Sequence, residues 1–166
     1  MYMTRYKLRK ATEHIYYEAW MFYQTLSLLK VSRNPIGRNI LLDAFAIHTR
    51  NLFDFFYPKK TNRHDDMSVN DYVSDSSYFK SNRTPKRDLL FIVRKADKQV
   101  AHLTYIRNRY NKKSKNWPFL RIGQRMHKNL EAFYFSIPNS YRKWEYFIKF
   151  KEQINLNVDL QDKKSG

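Results

Sequence analysis

Apolar residues recur at intervals of three and four along most of this chain, and five prolines stand where that period breaks. The clearest series lies within residues 5–31 and consists of Leu8, Ala11, Ile15, Ala19, Phe22, Leu26 and Leu29. Such spacing is typical of an amphipathic helix with one face in a core. Only three glycines occur among the 166 residues, too few for a β fold with many tight turns or for a glycine-rich phosphate loop. The sequence therefore predicts an all-α fold.

Capping signals place the helices along the chain. Asn34 and Thr84 each precede a proline, a pattern that marks the first turn of a helix. We predict four main helices over residues 5–31, 35–57, 85–107 and 119–137, and a short C-terminal helix capped by Ser140. The second helix is apolar around most of its circumference, which predicts a central position in an up-and-down bundle. Residues 58–84 form a predicted loop with one helical turn at 68–73. Residues 1–152 then make a single domain, and residues 153–166 a C-terminal tail.

The chain contains no cysteine, which excludes disulfides, thiolate zinc sites and cysteine nucleophiles. It has no apolar run of 18 residues, so we expect no membrane partner. No apolar leader segment follows the basic first ten residues. These features favour a cytoplasmic protein.

A formal net charge of +17 is the strongest functional signal. Residues 101–151 carry 12 basic and 2 acidic side chains, more than half of the excess. A concentrated positive field attracts polyanions, so nucleic acid is the first partner to consider and an acidic protein the second. A chain that is basic only because its whole proteome is basic is the remaining alternative.

The predicted phosphate contacts lie in the polar segment before the fourth helix and within that helix. They are Arg107, Arg109, Lys112, Lys113, Lys115, Arg121, Arg125 and Lys128. Tyr105, Tyr110 and Trp117 are interleaved with them, and exposed aromatic rings can stack on unpaired bases. This mixture favours RNA or single-stranded DNA over duplex, unless these rings serve only for packing.

His102 is the candidate acid or base. It lies about 140° from the centre of the apolar stripe of its helix, on the face that carries Arg94, Lys95 and Lys98. Cations bind a phosphodiester, and an imidazole titrates near neutral pH, so this group suits metal-independent RNA cleavage. The alternative is an ordinary histidine on a solvated, charged face. The predicted catalytic set is His102, Lys98 and Arg94.

A second polar group interrupts the most apolar helix at His48, Arg50, Asn51 and Asp54. Arg50 and Asp54 are four residues apart and can pair on one face. We interpret the group as a structural polar cluster, with His48 as a hydrogen-bonded core histidine; a polar notch lining a cleft is compatible with that interpretation. No HxxxH or HxxE pair occurs, so the sequence predicts neither a metal nor another cofactor, although a metal site through His48 is an alternative.

Two resemblances follow from these residues. HTRNLFDFF at 48–56, the pair Asp65 and Asp66, AHLTYIR at 101–107, and Trp117 with Pro118 resemble a group of small uncharacterised bacterial helical proteins. More distantly, the chain resembles the HEPN superfamily of metal-independent ribonucleases and nucleic-acid-binding toxins. That resemblance implies a helical bundle, a catalytic Arg–His pair and a homodimer.

The sequence departs from the HEPN pattern, because Arg94 precedes His102 by eight residues and Lys98 is the nearer cation. On a helix, Arg94 and His102 would be about 12 Å apart along the axis. The resulting hypothesis is a protein that binds RNA, in one form a metal-independent endoribonuclease. The alternative is a non-catalytic interaction or assembly module, antitoxin-like or part of a defence system, that binds an acidic protein partner.

Overall fold

The structure is a computed structural model, and it describes residues 4–59, 66–96 and 117–160. These residues form α-helices and 3-10 turns and include no strand, which confirms the all-α class. The α-helices are α1 (Arg5–Val31), α2 (Pro35–Phe56), α3 (Ser76–Asn82), α4 (Lys86–Ala96), α5 (Phe119–Ser136), α6 (Asn139–Arg142) and α7 (Glu145–Leu156). Single 3-10 turns span Val69–Asp71 and Val158–Leu160.

The capping signal at Asn34 is confirmed. Its side-chain Oδ1 accepts hydrogen bonds from the backbone N–H groups of Ile36 and Gly37, at 2.9 and 3.1 Å. Pro35 occupies the first helical position, where no N–H is required. The three-residue connection before it folds α1 and α2 into a helical hairpin.

The core is built largely from aromatic rings around Phe133 of α5. Phe55, Phe56, Phe147 and Phe150 surround it with ring centroids 5.2–5.9 Å away, mostly edge to face. This geometry suits the ring quadrupoles. The rings join α2, α5 and α7 into one body, and α1 packs against all three of these helices.

Two predictions are wrong in part, one about the burial of α2 and one about the loop at 58–84. Only the second half of α2 is largely buried, because Ile36 and Ile40 in the first half are 73 and 65% exposed. The predicted loop also contains a helix, α3, whose N-cap is the Asp75 side chain accepting from the Tyr78 N–H at 2.8 Å. The predicted turn at 68–73 is present as Val69–Asp71.

The C-terminal region also differs from the prediction. Ser140 lies inside the one-turn helix α6, and α7 begins only at Glu145, after the buried Trp144. The predicted tail boundary at 152/153 falls within α7, where Ile154 is 2% exposed and belongs to the core. The up-and-down arrangement of four main helices stays a prediction, because residues 97–107 of the third helix lie outside the described residues.

Candidate nucleic-acid interface

Three of the eight predicted phosphate contacts lie on α5. Arg121, Arg125 and Lys128 follow one another at spacings of four and three, so they share one side of the helix. Arg121 and Lys128 are exposed, whereas Arg125 is half-buried. Arg107, Arg109, Lys112, Lys113 and Lys115 lie outside the described residues.

Arg125 also holds two elements together. Its Nη1 donates to the backbone carbonyl of Asp88 in α4 at 2.7 Å, and its own carbonyl accepts from the Thr84 hydroxyl at 2.8 Å. The start of α4 is therefore fixed against the middle of α5.

On the other side of this contact, α3 and α4 carry a second set of cations, none of which was predicted as a phosphate contact. Residues 76–96 carry six basic side chains and one acidic, and residues 117–128 carry three basic and none acidic. The acidic side chain, Asp88, lies 3.8 Å from the guanidinium of Arg87. We define the basic face as Lys80, Arg83, Lys86, Arg87, Arg121, Arg125 and Lys128. The density of basic residues between 80 and 95 is the sequence signal that could have found its α3–α4 half.

A buried hydrogen-bond network fixes the chain between α3 and α4. The Thr84 N–H donates to Asn129 Oδ1 at 2.8 Å, and Asn129 Nδ2 donates to the Tyr57 hydroxyl at 3.0 Å. The Tyr57 hydroxyl in turn donates to the Thr84 carbonyl. Burial raises the pKa of Tyr57, which keeps that hydroxyl protonated as a donor. The network positions Arg83 and Lys86 on either side of Thr84 relative to α5.

Trp117 does not supply an exposed stacking ring, since it is only 4% exposed. The Lys95 ammonium lies 5.0 Å from the centroid of its indole ring, a cation–π distance. Burial lowers the pKa of Lys95. The contact places the end of α4 beside the start of α5. Tyr105 and Tyr110 lie outside the described residues.

An exposed aromatic ring does lie beside the α5 stripe, at Tyr78 of α3. Its side chain is 42% exposed and lines a groove of about 230 Å³ with Asn82, Lys128 and Glu131. Phe135 closes the same groove and is 43% exposed. The groove therefore combines a cation and a carboxylate with rings that a base could contact.

Of the predicted catalytic set, only Arg94 belongs to the described residues. It lies on α4 and is exposed. His102 and Lys98 lie outside the described residues, so their approach to Arg94 stays a prediction.

The polar residues of α2 divide into two pairs of contacts. His48 is 9% exposed, and its Nδ1–H donates to the Glu18 carboxylate of α1 at 2.8 Å. An ionised carboxylate can only accept, which assigns the proton to Nδ1. Arg50 and Asp54 approach to 3.8 Å along α2. Asn51 is exposed.

These residues border a cavity of about 560 Å³ between α1, α2 and the chain that follows α2. Its polar lining is His14, Glu18, Asn51, Asp54, Lys59 and Asp66. Asn51 and Asp54 belong to HTRNLFDFF and Asp66 to the Asp pair, so residues from two segments singled out in the sequence line this cavity. Asp65 lies outside the described residues. No three His, Asp or Glu side chains within the described ranges are close enough to hold a metal ion.

In the described part of the chain, no helix is both long and apolar enough to cross a membrane. Comparison of the chain with protein-family models, with characterised proteins and with solved structures finds no match. The HEPN resemblance and the dimer that it implies therefore stay predictions.

Proposed function

We propose that this protein binds RNA, or another single-stranded nucleic acid, through the basic face. The observation that carries the proposal is the meeting of α3, α4 and the first half of α5, whose residues 76–96 and 117–128 carry nine basic side chains and one acidic. A surface of one sign and this density releases counterions from a polyphosphate chain when it binds.

The cations of the basic face differ from the paired cations elsewhere. Lys149 lies 2.7 Å from Glu145, and Lys30 lies 3.1 Å from Asp159. By contrast, no carboxylate of the described residues forms an ion pair with four members of the face: Lys80, Lys86, Arg121 and Lys128. Cations that form no ion pair with a described carboxylate are available to an external anion.

Tyr78 favours a single strand over a duplex. Its exposed ring lies in the same groove as Lys128, so a base could stack while the adjoining phosphate meets the ammonium. Bases in a duplex are already stacked and do not present their faces. The alternative partner, an acidic protein surface, would need no exposed ring.

The experiment is a salt titration of binding, with fluorescence anisotropy of labelled 12-nucleotide single strands and a matched duplex. For single strands, the slope of log K against log salt is about −0.7 for each phosphate neutralised. Arg121→Gln with Lys128→Gln should weaken binding and reduce the magnitude of the slope by about 1.4. Arg33→Gln with Lys10→Gln removes the same charge from exposed positions on and just after α1 and serves as the matched control.

Binding that is independent of salt, or equally weakened by both double variants, would show that no specific phosphate surface exists here. Tight salt-dependent binding of an acidic protein with no binding of RNA would favour the interaction module.

The enzymatic form of the hypothesis has its own test. RNA incubated in EDTA should be cut by the wild-type protein and not by His102→Ala. Intact RNA in both reactions would end the nuclease claim and leave RNA binding in place.

A further inference from the structure

A second cavity, of about 270 Å³, lies where the end of α2, the Val69–Asp71 turn, α3 and the start of α4 meet. Its lining includes Lys80, Arg83 and Lys86, together with Asn70 and Ser76, and contains no carboxylate. We call it the Arg83 pocket. Within the described residues, none of the three cations forms an ion pair.

Arg83 is held in place by the protein itself. Its Nη1 donates to the Phe56 carbonyl at 2.8 Å. The guanidinium carbon lies 4.6 Å from the ring centroid of Tyr57 and 5.1 Å from that of Phe79. A guanidinium has five N–H donors, so four remain for a ligand. A cation that is already ordered loses little conformational entropy when an anion arrives.

The pocket suits a phosphate group rather than a base. The three rings in its lining, Phe56, Tyr57 and Phe79, are 0, 3 and 2% exposed, so none offers a face for stacking. Its volume is below the roughly 300–1,000 Å³ of sites that enclose a drug-sized ligand, which is too little for a whole nucleotide. Guanidinium and ammonium groups with hydroxyl and amide donors are the ligands of a phosphate.

The charge favours a terminal phosphate over an internal one. An internal phosphodiester carries a single negative charge, whereas a phosphate monoester carries about 1.5 to 2 at neutral pH. Three cations without a carboxylate match the more highly charged group.

The rest of a strand could continue along the basic face. Asn82, which precedes Arg83, lines the groove of Tyr78 and Lys128. On the other side, Lys86 lies two residues before Asp88, whose carbonyl is bonded to Arg125. Residues that adjoin the pocket in the chain therefore contact the surface proposed to bind RNA.

We infer that the Arg83 pocket binds the terminal phosphate monoester of an RNA strand; this inference rests on the proposed function. It predicts that the protein prefers strand ends that carry a phosphate, and it gives Lys80, Arg83 and Lys86 a role distinct from the α5 stripe.

The test compares otherwise identical 12-nucleotide RNAs that carry a 5′-phosphate, a 3′-phosphate or hydroxyls at both ends, at constant ionic strength. We expect one of the two phosphorylated strands, 5′ or 3′, to bind about tenfold tighter than the strand with hydroxyls at both ends. A tenfold difference in affinity corresponds to the free energy of about one charge-assisted hydrogen bond. Arg83→Gln should abolish the preference while hydroxyl strands still bind, and Arg33→Gln should preserve it.

Because Arg83 also contacts Phe56, Tyr57 and Phe79, its replacement could disturb folding. Lys80→Gln with Lys86→Gln is the second test, since both side chains are exposed and make no described contact that the fold requires. Circular dichroism of each variant reports whether it is folded.

Equal affinity for all three strands would overturn the inference and leave RNA binding intact. Failure to bind any strand at 50 mM salt would instead refute the proposed function. In that case the melting temperature is measured with added inorganic phosphate. An increase in the wild type that is absent from Lys80→Gln with Lys86→Gln would assign the pocket to free phosphate. No increase in the wild type would show that the pocket is not a phosphate site.

Discussion

Replacement of Asn129 by alanine tests how much the buried network stabilises the fold. Asn129 is fully buried. Its side-chain oxygen accepts a hydrogen bond from the Thr84 N–H, and its side-chain nitrogen donates one to the Tyr57 hydroxyl. An orphaned buried N–H costs about 1–3 kcal/mol, and the lost bond to Tyr57 about 1 kcal/mol. Tyr57 keeps its bond to the Thr84 carbonyl, and alanine recovers about 0.5 kcal/mol of helix propensity. The expected loss is about 1.5–3.5 kcal/mol of unfolding free energy.

Urea denaturation followed by circular dichroism measures this loss as a lower midpoint at an unchanged m-value. At about 2–4 °C per kcal/mol for a chain of this size, the melting temperature should fall by roughly 3–14 °C. Asn39→Ala, at an exposed position of α2, is the control and should stay within about 0.5 kcal/mol of the wild type. A loss below about 0.5 kcal/mol for Asn129→Ala would refute the assigned role of the network.

Three further predictions concern stability. Gly123→Ala places a Cβ 2.7 Å from Cδ2 of the buried Leu26, so overpacking of about 1–3 kcal/mol should outweigh the gain of about 1 kcal/mol in helix propensity. In a Leu26→Ala background the same change should stabilise the protein, and calorimetry of the four chains would detect the reversal. Burial lowers the pKa of His127, so the unfolded state binds more protons and the free energy of unfolding should fall from pH 7 to pH 5. His127→Gln should flatten this dependence in urea midpoints, and an unchanged slope would contradict the assignment. Asn34→Ala should lower stability by about 1 kcal/mol through loss of the α2 cap, whereas an unchanged midpoint would show that water replaces the cap.

The helices that were predicted best are those with both a period and a local stop signal. Asn34 with Pro35 sets the start of α2, and α5 ends at Ser136, before Pro138. The short helix α3 has no such period, because only Phe79 of its seven residues is buried. The break before α7 depends on packing, since the Trp144 ring stacks on Tyr141 with centroids 4.0 Å apart. Neither feature is visible in spacing alone.

The candidate site shows the same division between local and distant signals. The α5 stripe follows from helical spacing, and so does the pairing of Arg50 with Asp54. The partner of His48 is Glu18, thirty residues earlier on another helix, and no pattern in the sequence connects them. The Arg83 pocket likewise collects residues from α3, α4 and the chain between them, against the end of α2. The positive charge of these residues can be predicted from the sequence, but their meeting in one pocket depends on tertiary packing.

The three tryptophans lie in different surroundings, so their fluorescence can report on different parts of the molecule. Trp117 is buried beside Lys95 near the basic face, Trp144 is stacked in the aromatic core, and Trp20 is 37% exposed on α1. Single-tryptophan versions, with phenylalanine at the other two positions, would report separately on ligand arrival and on loss of the core. Emission from Trp117 that shifts with added RNA while Trp144 stays constant would locate the bound strand without any attached dye.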